Sequence, residues 1–385
     1  MLRIALPLGG TDCGQSGIGV YLRAIVPRLC RALSASGGEL TVFGTPIDVD
    51  AYDDVLGDAR RVVLPSLLTS PGINALFHFL GAGVLSAHAK ASVLFLPAAS
   101  RRIVARSPIP TVAVVHDIAP LYVPGKYDAL RTFYLKHSVM PALRHASHIV
   151  AVSHFTQNDI ARSLECPLSR IDVVPNGVDV QRFTPPVFGD ERVQAARIHL
   201  NMDGPYILYL GRLEHPGKNH LRLIEAFAAS TLAANHTLVL AGQDWGALPL
   251  IRDAASRLQI AHRMHITGFL PDEIIPGLVA GADSVAMVGL YEGFGLPALE
   301  ALAAGRPVFV ANTGALTEVT GDLAASCDPL DCNSIQRALE TTITDSKFRT
   351  RALAEGPTHA LQYGWDSAAD ELLSICRRAA AASAN

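Results

Sequence analysis

Two carboxylates bracket a glycine-rich bend in Glu292-Gly293-Phe294-Gly295-Leu296-Pro297, with Glu300 following it. Glycine lets a backbone come close to a ligand. Proline suits the first turn of a helix because the amide it lacks would have no partner there. The pattern predicts an apolar helix from Pro297 to Ala304, closed by Gly305. The free amides of its first turn suit an anion such as a diphosphate. Acids beside an anion site are electrostatically wasteful unless they hold hydroxyls, which points to sugar and ribose. The amides of Phe294, Gly295 and Leu296 would hold sugar oxygens and phosphate. Glu292 would accept from hexose hydroxyls, and Glu300, about two turns on, from a ribose diol. A plainer alternative is that Glu300 only favours the positive end of a helix dipole.

Other residues fall into the same scheme. Arg212 and Lys218 lie six residues apart after an expected strand, in the acidic half of the chain. An arginine fork and a lysine point charge there would clamp a diphosphate; two solvated surface cations are the alternative. Gly17 and Gly19, in Ser16-Gly17-Ile18-Gly19, follow the first strand and could approach a phosphate or a reacting sugar, or simply turn the chain into a helix. His116 ends a strand next to Asp117, which would orient it. Its ring could hydrogen-bond a donor sugar and could titrate near neutral pH, or be a satisfied core histidine. Gly268 and Phe269 would offer backbone contacts to a base. Asn312-Thr313-Gly314 and Glu318 are rim candidates, or else a loop and a helix cap.

These residues need strand ends to carry them. Strands are expected at Arg3–Pro7, 40–43, Val93–Leu96, Thr111–Val115, 148–152 and 171–174, with helices such as 19–35 and 141–145 between them. After Pro185-Pro186 the rhythm restarts, with strands at Tyr206–Leu210, Thr237–Ala241, 264–267, 284–288 and 307–311. Helices there are expected at 221–229, 249–258, 271–280 and 297–304, with a final helix at 366–381. Such βαβ repetition implies parallel sheets covered on both faces, with ligands beyond the carboxyl ends of the strands. The fold expected is α/β: two doubly wound, Rossmann-like domains facing a cleft. Residues 1–185 plus the C-terminal segment 366–385 form one domain and 186–365 the other, the last helix crossing back to the first.

The chain has 385 residues, 49% of them hydrophobic and 17% charged, ample for two cores and unlike a disordered protein. Its net charge of −3 divides into +4 over residues 1–185 and −7 over 186–385, too mild for nucleic acid. Six scattered cysteines without a CxxC pair fit a reducing cytoplasm better than disulfides or zinc. The N-terminus lacks the layout of a signal peptide. The charge-free stretch Val62–Ala89 is interrupted by Pro65 and Pro71, which argues against a transmembrane helix. Its Ile73, Leu76, Phe77 and Leu80 form one apolar helix face, expected to pack in the core. Contact with the inner face of the plasma membrane is the alternative, helped by Arg101, Arg102 and Arg106.

As a set, Gly211-Arg212-Leu213 with Lys218, Ile266-Thr267-Gly268-Phe269, and Glu292 to Glu300 within Glu-Gly-Phe-Gly-Leu-Pro resemble the donor site of the retaining GT-B glycosyltransferases of family 4. Val174 to Asp179 and His116-Asp117-Ile118-Ala119-Pro120 resemble further segments of that family. Two departures stand out: Val288-Gly289 where the family often has Pro-Ser, and Asn219 where many members have glycine. The resemblance implies a nucleotide sugar bound mainly by the second domain and an acceptor mainly by the first. It implies transfer with retention, without a metal or other cofactor. By position, Arg212 and Lys218 would neutralise the leaving diphosphate and Glu300 would hold ribose. Glu292 would hold the sugar, and His116 the sugar near its reacting carbon. Gly17 and Gly19 would lie against the phosphates or the acceptor.

The segments Tyr291–Pro297 and His116–Pro120 are similar to those of bacterial polysaccharide mannosyltransferases. That favours mannose from GDP-mannose, passed to a glycan or a polyprenyl-diphosphate-linked oligosaccharide. Rhamnosyl or UDP-hexose transfer, a GT-B sugar-nucleotide epimerase and a non-catalytic sugar-nucleotide-binding partner of a synthase are the alternatives. A Rossmann oxidoreductase is disfavoured. Leu22 stands where its third glycine would be, and Gly-Thr-Pro follows the strand whose end should carry an acid.

Overall fold

The computed structural model describes residues 1–126 and 128–382. They form two compact units: residues 1–121, 128–176 and 365–382 in the first, 122–126 and 177–364 in the second. The main division falls between Asn176 and Gly177 rather than after 185. The last three residues of the expected C-terminal segment lie outside the described ones.

The first unit is built on a seven-stranded parallel sheet of order β3-β2-β1-β4-β5-β6-β7. Its strands are β1 (Arg3–Pro7), β2 (Glu39–Gly44), β3 (Arg60–Val63), β4 (Val93–Leu96), β5 (Thr111–Val115), β6 (His148–Ala151) and β7 (Ile171–Val173). All residues of β4 and β5 are buried, which is why these strands read as continuous apolar runs rather than alternating ones. β3 was not expected: Arg60-Arg61-Val62-Val63 is a largely exposed edge strand, and charge is tolerated there.

The second unit carries a six-stranded parallel sheet of order β10-β9-β8-β11-β12-β13. Here β8 is Tyr206–Leu210, β9 Thr237–Ala241, β10 Met264–Gly268, β11 Ser284–Met287, β12 Val308–Ala311 and β13 Ala324–Cys327. β13, a short Ala-Ala-Ser-Cys edge, lacks the β-branched residues that announce a strand. In each unit the strand order reverses beside the first strand, at β1|β4 and β8|β11. Open α/β sheets bind ligands beyond the strand ends at such reversals.

The last helix, Trp365–Ala382, belongs to the first unit. It packs on the helix Gly17–Ala35 through an Arg28–Asp366 ion pair of 2.7 Å and an edge contact of Trp365 with Tyr21. Several helices differ from expectation. That of 271–280 starts only at Ile275, because a turn from Pro271 precedes it. That of 141–145 is one turn, Met140–Leu143, continuing a π-helical Leu135–Val139. Cys332–Thr344 and Ser346–Ala360 were not foreseen, although Asp331 and Asp345 cap their first amides.

The helix Pro71–Leu80 departs most from expectation. Phe77 packs against the core, but Ile73, Leu76 and Leu80 are exposed. Phe79 also packs inward, and beside these rings Asn74 and His78 are buried, Asn74 bonded to the Leu68 carbonyl and to Arg102, and His78 Nδ1 to the Asn74 carbonyl. Among the described residues, no helix is long and apolar enough to cross a membrane.

Candidate functional site

In the second unit the site forms at the β8|β11 reversal. Gly211 and Gly242 directly follow β8 and β9, and Gly268 ends β10. Gly211 donates to the Ala241 carbonyl and Gly242 to that of Gly268, so the ladder runs one residue past the strands. Gly242 is a residue that motif reading missed. A Cβ there would stand 2.1 Å from the Gly211 oxygen, so only glycine fits. The pairing continues through Leu213 to Gln243 and from Trp245 back to Leu213. It sets Trp245 beneath the Arg212 guanidinium, 4.3 Å from the ring centroid. A cation held over an aromatic face is restrained before any ligand arrives.

Lys218 follows on the loop that leads to the helix His220–Ala229. Its Nζ lies 2.7 Å from Glu292 Oε1, and both side chains are largely buried. Burial alone would lower the Lys218 pKa, but the Glu292 charge, the nearby Tyr209 and the hydrogen bond to Glu292 together more than offset it, and the ammonium is stabilised. The Leu290 amide donates to the Gly217 carbonyl, fastening the two loops together. Asn219 has φ +60°, a left-handed position that glycine favours and asparagine tolerates. Its side-chain amide donates to the carbonyls of Val288 and Pro329, bracing the end of β11. That accounts for asparagine where many family members have glycine.

The acid loop follows β11. A Cβ on Gly289 would lie 2.6 Å from Glu292 Oε1, so this second departure from the family pattern makes room for the carboxylate. The Ala315 amide donates to the Glu292 carbonyl and Thr313 Oγ1 to that of Gly289. Residues 312–314 thus brace the loop, and Glu318 is exposed on the helix Leu316–Thr320. Gly295 takes φ +98° at the N-cap of the helix Leu296–Ala303, and Phe294 is buried against Tyr363. No carbonyl among the described residues takes the N–H of Phe294, Gly295 or Leu296.

Glu300 lies on that helix, half-buried. Burial pushes its carboxyl up to about 7, Arg182 opposing and Asp272 adding to the shift. Phe269 is exposed after Gly268, which has φ +70°. Sequence reading also missed Glu214 and Lys126, both almost wholly buried. Glu214 lies 3.6 Å from Arg212 and 4.0 Å from Lys126. The Tyr209 hydroxyl, which burial drives up, feels Lys218, Glu292, Glu214 and Arg212 together. The four charges therefore share one neighbourhood. With Lys126 they make three cations against two anions, which favours an incoming anion. His220, buried edge-on to Tyr209, is held at about 3 and stays neutral.

In the first unit His116 Nε2 lies 2.8 Å from the Pro97 carbonyl. That oxygen can only accept, so Nε2 carries the proton and Nδ1 is left as an acceptor. The expectation that His116 titrates near neutrality fails: burial first of all holds it at about 4, and it is uncharged at pH 7. Gly17 opens the helix Gly17–Ala35 with free space where a Cβ would stand. Gly19 is explained by packing, since a Cβ there would lie 2.4 Å from the Gly14 backbone. Among the described residues no group of three or more His, Cys, Asp or Glu is placed to hold a metal ion.

Comparison with known proteins assigns both halves of the chain. Residues 17–182 match the sequence model of Glycosyltransferase Family 4, and 190–358 that of Glycosyl transferases group 1. O-antigen chain mannosyltransferase B of Escherichia coli is 29% identical over 265 residues, 68% of this chain and 69% of its own length. Serotype-specific mannosyltransferase WbdA of the same species is 28% identical over 269 residues, and the chain spans only 32% of that longer protein. Among solved structures, Anabaena HepE in complex with UDP and glucose superposes with a TM-score of 0.77 at 19% identity, covering 98% of this chain and 100% of that one. Both units match, in the order a GT-B transferase requires, and the chain belongs to the family 4 glycosyltransferases.

Proposed function

We propose that this transferase moves a hexose with retention from a nucleoside-diphosphate sugar, mannose from GDP-mannose in the first place. The acceptor is a glycan or a polyprenyl-diphosphate-linked oligosaccharide, and the reaction takes place in the cytoplasm, with peripheral contact at the membrane. The observation that carries the reading is the Lys218–Glu292 pair across the β8|β11 reversal, beside Arg212 and the unpartnered amides of 294–296. The mannosyltransferase relatives favour mannose, and the UDP and glucose of HepE favour a nucleotide sugar in general.

Arg212, Lys218 and the helix amides take the charge of the departing diphosphate, so the reading assigns no metal. Glu300 accepts from the ribose diol and Glu292 from the sugar. His116, neutral, holds a sugar hydroxyl, and Gly17 leaves room for phosphate or acceptor. The bond from the anomeric carbon to the phosphate oxygen breaks, and the acceptor oxygen bonds to that carbon on the same face. The acceptor proton passes to the leaving phosphate, giving the nucleoside diphosphate.

The test is a panel of sugar nucleotides and diphosphates. GDP is expected to raise the melting temperature most, and GDP-mannose to be consumed only when acceptor is present. Epimer formed from donor alone would overturn the transferase reading of the site. No response to any nucleoside diphosphate would overturn the site itself.

A further inference from the structure

Glu214 stands on the loop after β8, between Arg212 and Lys218 in sequence. Its side chain is 5% exposed, and neither carboxylate oxygen has a hydrogen-bond partner among the described residues. A buried carboxylate is rarely left so. Each oxygen instead faces a cation, with Lys126 Nζ 4.0 Å from Oε1 and Arg212 Nη2 3.6 Å from Oε2. Both separations exceed hydrogen-bonding distance, so the negative charge is shared between two cations and does not close on either. The loop is shaped around this arrangement. The Lys218 amide donates to the Glu214 carbonyl. A Cβ on Gly217 would stand 2.7 Å from Glu214 Oε1 and 3.1 Å from Lys126 Cδ, so glycine lets the backbone lie over both side chains.

The two cations differ in access. Lys126 is 4% exposed, too covered to meet a ligand, whereas Arg212 keeps 18% of its surface and rests over Trp245. The segment 122–126 that carries Lys126 belongs to the second unit, where the Tyr122 ring stacks on Tyr291 at 5.8 Å. Lys218 is already matched one to one by Glu292. Matched in the same way by Glu214, Arg212 would bring no surplus charge to an incoming diphosphate. Lys126 changes that balance, because it faces the same carboxylate and Lys218 also feels it as a like charge. The five groups then keep one positive charge in excess, which draws an anion.

We propose that Lys126 and Glu214 are positioning residues of the donor site. Lys126 takes up the Glu214 charge so that Arg212 keeps its own for the diphosphate, and Glu214 restrains the Arg212 guanidinium. The inference rests on the diphosphate reading given above. GDP and UDP are titrated calorimetrically into the full chain and into Lys126→Met, Glu214→Gln and the double variant. The first substitution removes the surplus charge, the second doubles it and the two together restore it. Lys126→Met should weaken affinity at least about tenfold, although it touches no ligand. Glu214→Gln should tighten affinity yet lower kcat, because Arg212 loses its restraint. The double variant should return to within about threefold of wild-type affinity, and the differences should shrink as salt rises. Melting temperatures separate a merely structural pair, which would lose stability without ordering the affinities by charge. Wild-type affinity in a folded Lys126→Met, or a double variant binding no better than it, would overturn the proposal. If Lys126→Met does not fold, Glu214→Gln binding no tighter than the double variant would overturn it. A wild-type chain that binds neither nucleotide would remove the donor-site reading and this inference with it. Wild-type binding without the charge ordering would remove this inference alone.

Discussion

Replacing Lys218 by methionine separates what the ion pair does for the fold from what it does for the reaction. Lys218 Nζ and Glu292 Oε1 are 2.7 Å apart, with side chains 15% and 12% exposed. Removing one partner of a buried pair leaves an uncompensated charge and costs about 3–5 kcal/mol. Both groups keep some solvent, so about 3 kcal/mol is expected for Lys218→Met. Adding Glu292→Gln removes the orphaned charge and should restore stability to within about 1 kcal/mol. Turnover should behave differently. Loss of a group that stabilises charge in the transition state costs about 10²–10³ in rate, and the second substitution cannot return it. The chain has two tryptophans, so in a Trp365→Phe background Trp245 reports denaturation of the second unit alone. Release of nucleoside diphosphate reports turnover. Recovery of turnover together with stability in the double variant would show the pair to be structural only, and near-normal turnover in Lys218→Met would refute the diphosphate role.

Further consequences follow from the same geometry. Arg212→Ala should leave the fold intact and lower kcat by about 10² or more, more than it raises KM, as steady-state kinetics would show. Glu300 holds its proton up to about 7 in the folded chain against an ordinary 4.5, so stability should fall as pH rises between those values. The dependence amounts to about 3 kcal/mol at most, is measurable by pH-resolved unfolding, and should vanish in Glu300→Gln. Because the ionised carboxylate is the better acceptor for a ribose diol, the donor KM should also fall as pH rises through about 7, and the same variant should lose this trend. Gly242→Ala must displace the Gly211 carbonyl, 2.1 Å from the new carbon, and should cost about 2–3 kcal/mol, measured by denaturation.

The alternation of apolar strands and helices was legible in the sequence because buried parallel strands are continuous apolar runs. Edge strands such as Arg60–Val63 and Ala324–Cys327 carry no such signature and escaped notice. The acids, the two cations and the glycine bend were legible as candidates because diphosphate and hydroxyl binding calls for particular residue types at short spacing. Lys126 and Glu214 were not, since the chain brings them together over 88 positions, and their partnership is visible only in three dimensions. The helix Pro71–Leu80 was misread for a different reason. Periodicity identifies an apolar face but not the direction in which it points, and here Arg102 and Leu68 satisfy the polar face from within.

The central claim is that paired cations and free helix amides hold a diphosphate at the β8|β11 reversal while acids hold hydroxyls on either side. A crystal structure with GDP or UDP, whichever gives the larger thermal shift, tests it most directly. The β-phosphate should lie within hydrogen-bonding distance of Arg212 and Lys218, facing the amides of 294–296, with both ribose hydroxyls on Glu300. A nucleotide bound elsewhere, or one whose phosphates touch neither cation, would contradict the account.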